Sequence, residues 1–166
     1  MGKLGVSTQL LAPGDIYPAL ELGTIDALEF SMPIIDKDFG FYQIAKHYYF
    51  PGWHQPASLG ELIVNMDRWL ELSDTQKAQI EVTWGEMLVD SLANSEAVNP
   101  AAITKLEESG VQIHKWSPEM IALFKEKWFE VVEEEASKNE DFSRVWSSVK
   151  KFRTSYARWK DLGYLK

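Results

Sequence analysis

Hydrophobic and polar residues follow two different patterns along this 166-residue chain. Up to residue 70, apolar positions come in short runs separated by glycine and proline, which is typical of strands alternating with short helices. From residue 73 onward they recur every three or four positions, which predicts long helices. The pattern therefore predicts an α/β fold class in a single unit 1–166, with an α/β portion over residues 1–70 and a mainly helical portion over residues 71–166.

The chain begins with a predicted strand and helix. Ser7–Leu11 has the composition of a short strand. Asp15 is a suitable cap for the helix that follows, and Gly23 offers the left-handed conformation that ends it. We therefore expect a short helix between these two residues.

A second strand is predicted directly after this helix. Thr24–Phe30 is rich in Ile, Leu and Phe, and Pro33 disfavours continuation as a central strand. A strand, helix, strand unit builds a parallel or mixed sheet, and open α/β sheets bind small ligands beyond the carboxyl ends of their strands. Glu29 and Phe30 are thus predicted to emerge side by side at a strand end.

Four further segments complete the first portion. Asp38–His47 is predicted to be helical and Tyr48–Phe50 to be extended. Residues 51–56 form a turn-rich segment with two prolines, and Leu62–Val64 is a strong strand candidate. The elements are short, so we expect a small sheet.

The second portion opens at a capping box. Ser73–Gln76 has this pattern and predicts the start of a long helix. Asn99–Pro100 is expected to kink or interrupt that helix, which then resumes and stops at Gly110. Val111–His114 has the composition of a short strand.

Two more helices are predicted, from Ser117–Pro118 and from near Asp141. The last one carries an apolar face beside Lys150, Lys151 and Arg153. The face consists of Phe142, Val145, Trp146, Val149, Phe152, Tyr156 and Trp159. Two interpretations stay open: it packs on its own domain, or it is buried against a second copy in a homodimer.

Charge and composition exclude several functions. The net charge of -8 and the pI of 4.9 oppose binding to nucleic acid or anionic membranes. Cysteine is absent, which removes thiol catalysis and thiolate metal sites. The paired acids Asp36/Asp38 and Glu133–Glu135 are typical of solvated faces, and no nucleophile or metal-binding motif is visible. We therefore do not expect an enzyme.

No export or membrane segment is predicted. Residues 1–5 are too short and too polar for a signal peptide, and no apolar run approaches the roughly 18 residues needed to cross a bilayer. We expect a soluble chain without a signal peptide.

Four segments carry a family resemblance: Pro13–Phe30, Gly40–Tyr42, Tyr48–Pro56 and Leu62–Asn65. They resemble DctP-type substrate-binding proteins of tripartite ATP-independent periplasmic (TRAP) transporters. The likeness is strongest to the branch that binds 2-oxo or 2-hydroxy monocarboxylates. It covers essentially the whole chain, with the distinctive motifs in residues 1–65.

The resemblance implies a fold and a location. It implies the C-terminal part of a two-lobed periplasmic-binding-protein-like fold, with a short mixed sheet and long C-terminal helices. The N-terminal lobe, and the arginine that clamps the substrate carboxylate in the family, are then missing from this sequence. It also implies a periplasmic location for the intact protein, TRAP membrane permease subunits as partners, and a small organic acid as ligand.

The resemblance also implies site residues. Glu29 matches an acidic position that helps to hold a cation or the ligand. Phe30 matches a ligand-contact position that is often Trp or Asn, and Gln55 one that is often Glu. The resemblance thus implies Glu29, the Phe30 carbonyl and Gln55 as ligands of Na⁺ or Ca²⁺, and these three with Trp53 as contacts of the organic acid. No cofactor beyond this bridging ion is implied.

The chemistry of these residues leaves alternatives open. Carboxylate, amide and carbonyl oxygens suit a hard cation. A lone glutamate such as Glu29 is otherwise typical of a solvated or salt-bridged surface group. Trp53 and Tyr49 either line the ligand cleft or pack in the core, and His54 either binds the ligand or satisfies nearby backbone.

A second function from another class also stays open. A truncated domain that has lost ligand binding would act as a dimerisation or assembly module. The missing arginine and the aromatic face of the last helix favour this alternative.

Overall fold

The computed structural model describes residues 1–53, 55, 57–58 and 60–164. Within them the fold is predominantly helical, with a small two-stranded parallel sheet. The predicted α/β class with long C-terminal helices is confirmed, and the sheet is purely parallel. The elements are α1 (Pro13–Glu21), α2 (Pro33–Asp38), β1 (His47–Phe50), α3 (Met66–Glu71), α4 (Asp74–Glu108), β2 (Gln112–Lys115), α5 (Pro118–Lys138) and α6 (Glu140–Gly163), with 3₁₀ turns at Gly2–Leu4 and Phe41–Gln43.

The sheet pairs β1 with β2 through a crossover that contains α4. The register places Tyr48 opposite Ile113 and Tyr49 opposite His114. Parallel strands need a long crossover connection, which the 35-residue α4 provides. The predicted extended segment 48–50 and the predicted strand 111–114 are these two strands, with β2 beginning one residue later than predicted.

Residues 9–116 form one compact unit. In it α2 lies against α4, because the Ile34 amide donates a 3.1 Å hydrogen bond to Oδ1 of Asn99. The amide nitrogen of Asn99 lies 3.6 Å from the sulfur of Met32, so one side chain meets both residues that flank Pro33. The buried apolar side chains of this unit are Ile16, Leu20, Phe41, Ala102, Leu106 and Val111.

Residues 1–8 and 117–166 form a second compact unit, built on the α5–α6 helical hairpin. Its buried apolar side chains are Phe124, Val132 and Trp146. The indole Nε1 of Trp146 donates a 2.9 Å hydrogen bond to Glu133, which joins α6 to α5. The prediction that residues 1–166 form a single unit stays a prediction.

Helix ends follow the capping signals of the sequence in most places. Ser73 and Gln76 form the predicted capping box at the start of α4, and Ser117 accepts from the Met120 amide at the start of α5. An interruption at Pro100 is wrong, since α4 continues through it, while a kink there stays a prediction. Asp15 lies in the first turn of α1, where Ala12 is the N-cap, while Gly23 has the expected left-handed φ of 68° just after the helix.

Three predicted strands and one predicted helix are wrong. Ser7–Leu11, Thr24–Phe30 and Leu62–Val64 have no strand structure. Their apolar composition suits a strand, but a strand also needs a neighbour for its backbone groups, and none of the described residues pairs with them. Asp38–His47 is divided instead between the end of α2, a 3₁₀ turn and the start of β1. Among the described helices, none combines the length and apolarity needed to cross a membrane.

Candidate functional site

Glu29 and Phe30 lie in the irregular segment between α1 and α2. Gly23 follows the end of α1, and Pro33 begins α2, where its fixed φ and missing N–H are tolerated. The prediction that the two residues end a strand is therefore wrong, because local breakers rather than a sheet set their position. Glu29 is exposed and Phe30 is half-buried.

The ring of Phe30 belongs to an aromatic cluster. Its centroid lies 4.7 Å from that of Phe39 and 5.2 Å from that of Phe41, and the ring of Phe41 is buried. Edge-to-face and tilted pairs of this kind are favourable arrangements for aromatic rings. The ring therefore anchors the segment, and the backbone carbonyl of Phe30 is the atom with ligand chemistry for a cation.

Asp36, on α2, accepts hydrogen bonds at both carboxylate oxygens. The Tyr48 hydroxyl donates to Oδ2 at 2.5 Å, and the Ser31 amide donates to Oδ1 at 3.1 Å. Asp36 is half-buried, so its interpretation as part of a solvated acidic pair is wrong. Its neighbour Asp38 is exposed and forms an ion pair with Lys37 at 2.5 Å, as expected of a surface acid.

Negative charge accumulates around this carboxyl. Burial raises the pKa of Asp36, the hydrogen bonds from Tyr48 and Ser31 lower it, the charge of Glu29 raises it, and the net shift is upward. The pKa of the Tyr48 phenol is also raised, by burial, by its hydrogen bond to Asp36 and by the charges of Asp36 and Glu29. Glu29 and Asp36 thus act on each other electrostatically, which favours a cation near them.

Trp53 and Gln55 lie in the segment after β1. The Gln55 amide nitrogen donates to the Ser58 hydroxyl at 3.0 Å, so the amide oxygen is the atom suited to a cation. Trp53 is half-buried. His54 lies outside the described residues. That Trp53 and Gln55 share a site with Glu29 stays a prediction.

Tyr49 lies outside the core, and its alternative role as a wall of the ligand cleft stays a prediction. Its ring stacks on His114 at 4.7 Å and on Trp116 at 4.6 Å, and 44% of the residue is exposed. Core packing is therefore wrong for this partly exposed ring.

The donor set for a cation is rich in oxygen. Among the described residues, no group of three or more His, Cys, Asp and Glu side chains is placed to hold a metal ion. The candidate ligands Glu29, Phe30 and Gln55 would combine a carboxylate, a backbone carbonyl and an amide. Such hard oxygen donors fit Ca²⁺ or Na⁺ and do not fit soft metal ions.

Comparison with known proteins establishes the family. Residues 1–139 match DctP, described as bacterial extracellular solute-binding protein family 7, and the chain belongs to this family. A curated relative from Nostoc sp. PCC 7120, a monocarboxylate 2-oxoacid-binding periplasmic protein, is 32% identical over 165 residues. The match covers 99% of this chain and 45% of the relative.

Two crystal structures of TRAP solute-binding proteins are similar throughout this chain. One, from Bordetella bronchiseptica RB50, has a TM-score of 0.88 and 36% identity, and covers 97% of this chain and 48% of its own. It is a mixed-occupancy dimer with copurified calcium and picolinate in one active site. The other, from Colwellia psychrerythraea, binds calcium and pyruvate, with a TM-score of 0.84, 27% identity, and coverage of 97% and 49%. The chain therefore spans about half the length of these relatives.

Proposed function

We propose that this chain forms one wall of the ligand site in a TRAP solute-binding protein for 2-oxo or 2-hydroxy monocarboxylates. The observation that carries the proposal is the exposed Glu29, held between two helices near the half-buried Asp36 in a negatively charged region. Calcium with pyruvate or picolinate in two similar proteins supports the same ligand class.

The proposed chemistry is electrostatic. Glu29 would repel an organic carboxylate, so a bound cation is needed to join the two negative groups. Glu29, the Phe30 carbonyl and Gln55 supply oxygen ligands to Ca²⁺ or Na⁺, while Trp53 excludes water from the organic acid. Both ligands then bind more tightly together than either does alone.

The transport role extends beyond this chain. A second lobe supplies the carboxylate clamp, since no arginine here matches the one in the family. The lobes close on the ligand by hinge motion, and the closed protein delivers it to the TRAP membrane subunits from the periplasm.

Calcium binding by the Glu29→Gln variant tests the proposed site. Calorimetric titration with Ca²⁺ should show at least a tenfold weaker affinity, because a neutral amide replaces the charged ligand. Glu21→Gln removes a carboxylate at the exposed end of α1 and is the matched control, with unchanged affinity expected. Equal affinities for the native chain and Glu29→Gln would refute the proposed cation site.

A second candidate function is self-association through α6. Val145, Phe152 and Trp159 on this helix are 58%, 63% and 57% exposed. Lys150, Lys151 and Arg153 lie nearby in sequence, whereas the whole chain carries a net charge of -8, so a second copy offers a complementary surface. The dimeric Bordetella protein supports a second copy of this chain as the partner of α6.

A further inference from the structure

One carboxylate group joins two segments that are separate in sequence. The Ser31 amide, two residues after Glu29, donates to one oxygen of Asp36. The Tyr48 hydroxyl, on β1, donates to the other. Asp36 therefore connects the segment that carries Glu29 with the strand that leads toward Trp53 and Gln55.

Asp36 lies on a well-anchored helix. The Ile34 amide donates to the Asn99 side chain at 3.1 Å, and Pro33 is buried. These contacts hold the start of α2 on the long α4 helix, so the Asp36 side chain projects from a fixed backbone. A hydrogen-bond acceptor fixed in this way restrains its donors more strongly than a mobile one.

Tyr48 is fixed as well. Its backbone lies in the parallel ladder opposite Ile113, and its ring packs on Phe50 with centroids 4.6 Å apart. The hydroxyl is thus held at the Asp36 carboxylate by both the strand and the neighbouring ring. Asp36 and Tyr48 are thus each held in place by separate contacts, as expected of residues that position a neighbouring segment.

We propose that Asp36 and Tyr48 are positioning residues that fix the Glu29–Ser31 segment relative to β1 and thereby set the geometry of the cation site. They do not contact the ligand themselves. Asp36 also adds a second negative charge near Glu29, which increases the attraction for a cation. The ligand part of this inference rests on the proposed function, whereas the positioning part rests on the two hydrogen bonds alone.

Hydrogen exchange of the Ser31 amide tests the positioning part without any ligand. Tyr48→Phe removes only the hydroxyl. The Asp36 carboxylate then loses one of its two donors and should hold the Ser31 amide less firmly. We expect Ser31 exchange to accelerate about three- to tenfold, the effect of losing one hydrogen bond. Tyr17→Phe is the matched control, because it removes a hydroxyl that donates to Gln43 at 3.4 Å in the same unit. Unchanged Ser31 exchange in Tyr48→Phe would overturn the inference.

A double-mutant cycle on calcium affinity tests the link to the site. Tyr48→Phe should weaken Ca²⁺ binding about tenfold in the native background and much less in Glu29→Gln, because it acts through the position of Glu29. Equal effects in both backgrounds would indicate only general destabilisation and would overturn the link. If Glu29→Gln alone leaves calcium affinity unchanged, the proposed function fails, while the exchange experiment still decides the positioning role.

Discussion

Nδ1 of His47 lies 2.9 Å from Nε2 of His114, and this side-chain hydrogen bond joins β1 to β2. His114 is opposite Tyr49 in the register, so the two histidines are diagonal neighbours across the strand pair. A two-stranded sheet has few ladder bonds, and a bond between side chains is a substantial addition to it. The pair therefore stabilises the sheet that carries Tyr48.

A double-mutant cycle measures this contribution. His47→Ala and His114→Ala should show a coupling free energy of about 1 kcal/mol in urea unfolding, the usual net value of one hydrogen bond. The control cycle combines His47→Ala with Lys115→Ala, whose strand partner is Phe50, and should show almost no coupling. A His47–His114 coupling no larger than this control would contradict the expected bond.

Trp146 should dominate the stability of the α5–α6 hairpin. It is 6% exposed, contacts Trp128 at 5.4 Å between centroids, and has the guanidinium of Arg153 at 5.9 Å from its ring. Trp146→Ala should lower the free energy of unfolding by about 3 kcal/mol, the range for a buried aromatic residue. Phe129→Ala, at a residue that is 48% exposed, should cost less than half as much. Similar losses in both variants, measured by urea unfolding, would show that burial of Trp146 is not the main contribution.

Asp36 should give the chain a distinctive pH dependence. Its pKa in the folded state is raised, chiefly by burial, above the ordinary value of 3.8. Between the unfolded-state pKa of 3.8 and the higher folded-state pKa, Asp36 binds more protons in the folded state than in the unfolded state. The contribution of Asp36 to the free energy of unfolding therefore falls as the pH rises through this window. Asn does not titrate, so the unfolding free energy of the native chain minus that of Asp36→Asn should fall as the pH increases through this window. A difference that rises with pH in urea unfolding would mean that the folded pKa is lowered.

Self-association through α6 should depend on its apolar face. Phe152→Glu places a charge at a residue that is 63% exposed, and it should convert a dimer into a monomer in sedimentation velocity. Leu22→Glu makes the same kind of change at a residue of α1's C-terminus that is 79% exposed, and it should leave the dimer intact. A native chain that is monomeric at its highest soluble concentration would refute the dimer.

Helices were predictable from sequence where their ends carry local signals. The start of α4 is encoded by Ser73 and Gln76, which bond to each other's backbone within one turn. The same holds for Ser117 at the start of α5. Such contacts are fixed by neighbouring residues, so the sequence pattern is enough to locate them.

Strands were less predictable because they depend on partners distant in sequence. Ile63 is 87% exposed and Leu10 is 99% exposed, although both lie in apolar runs that resemble strands. The residues of β1 and β2 have similar composition but find each other across α4. Pairing, rather than composition, decides between these outcomes.

In the candidate site, too, local motifs were readable from the sequence, whereas contacts between residues distant in sequence were not. A local motif predicts Glu29 and Phe30 as candidates, whereas the closeness of Asp36 to Asp38 in sequence predicts a surface acid. Its role depends on Tyr48, 12 residues away, and on burial. The only sequence signal was a tyrosine in an aromatic run, which does not specify a carboxylate partner.

Pyruvate binding by a complete two-lobed protein tests the proposed ligand site. The N-terminal lobe of the Bordetella bronchiseptica protein would be fused ahead of this chain, and pyruvate titrated calorimetrically with and without Ca²⁺. We expect calcium-dependent binding that the Glu29→Gln fusion loses. A folded fusion that binds no pyruvate, or one that binds it equally well after Glu29→Gln, would contradict the proposed ligand site.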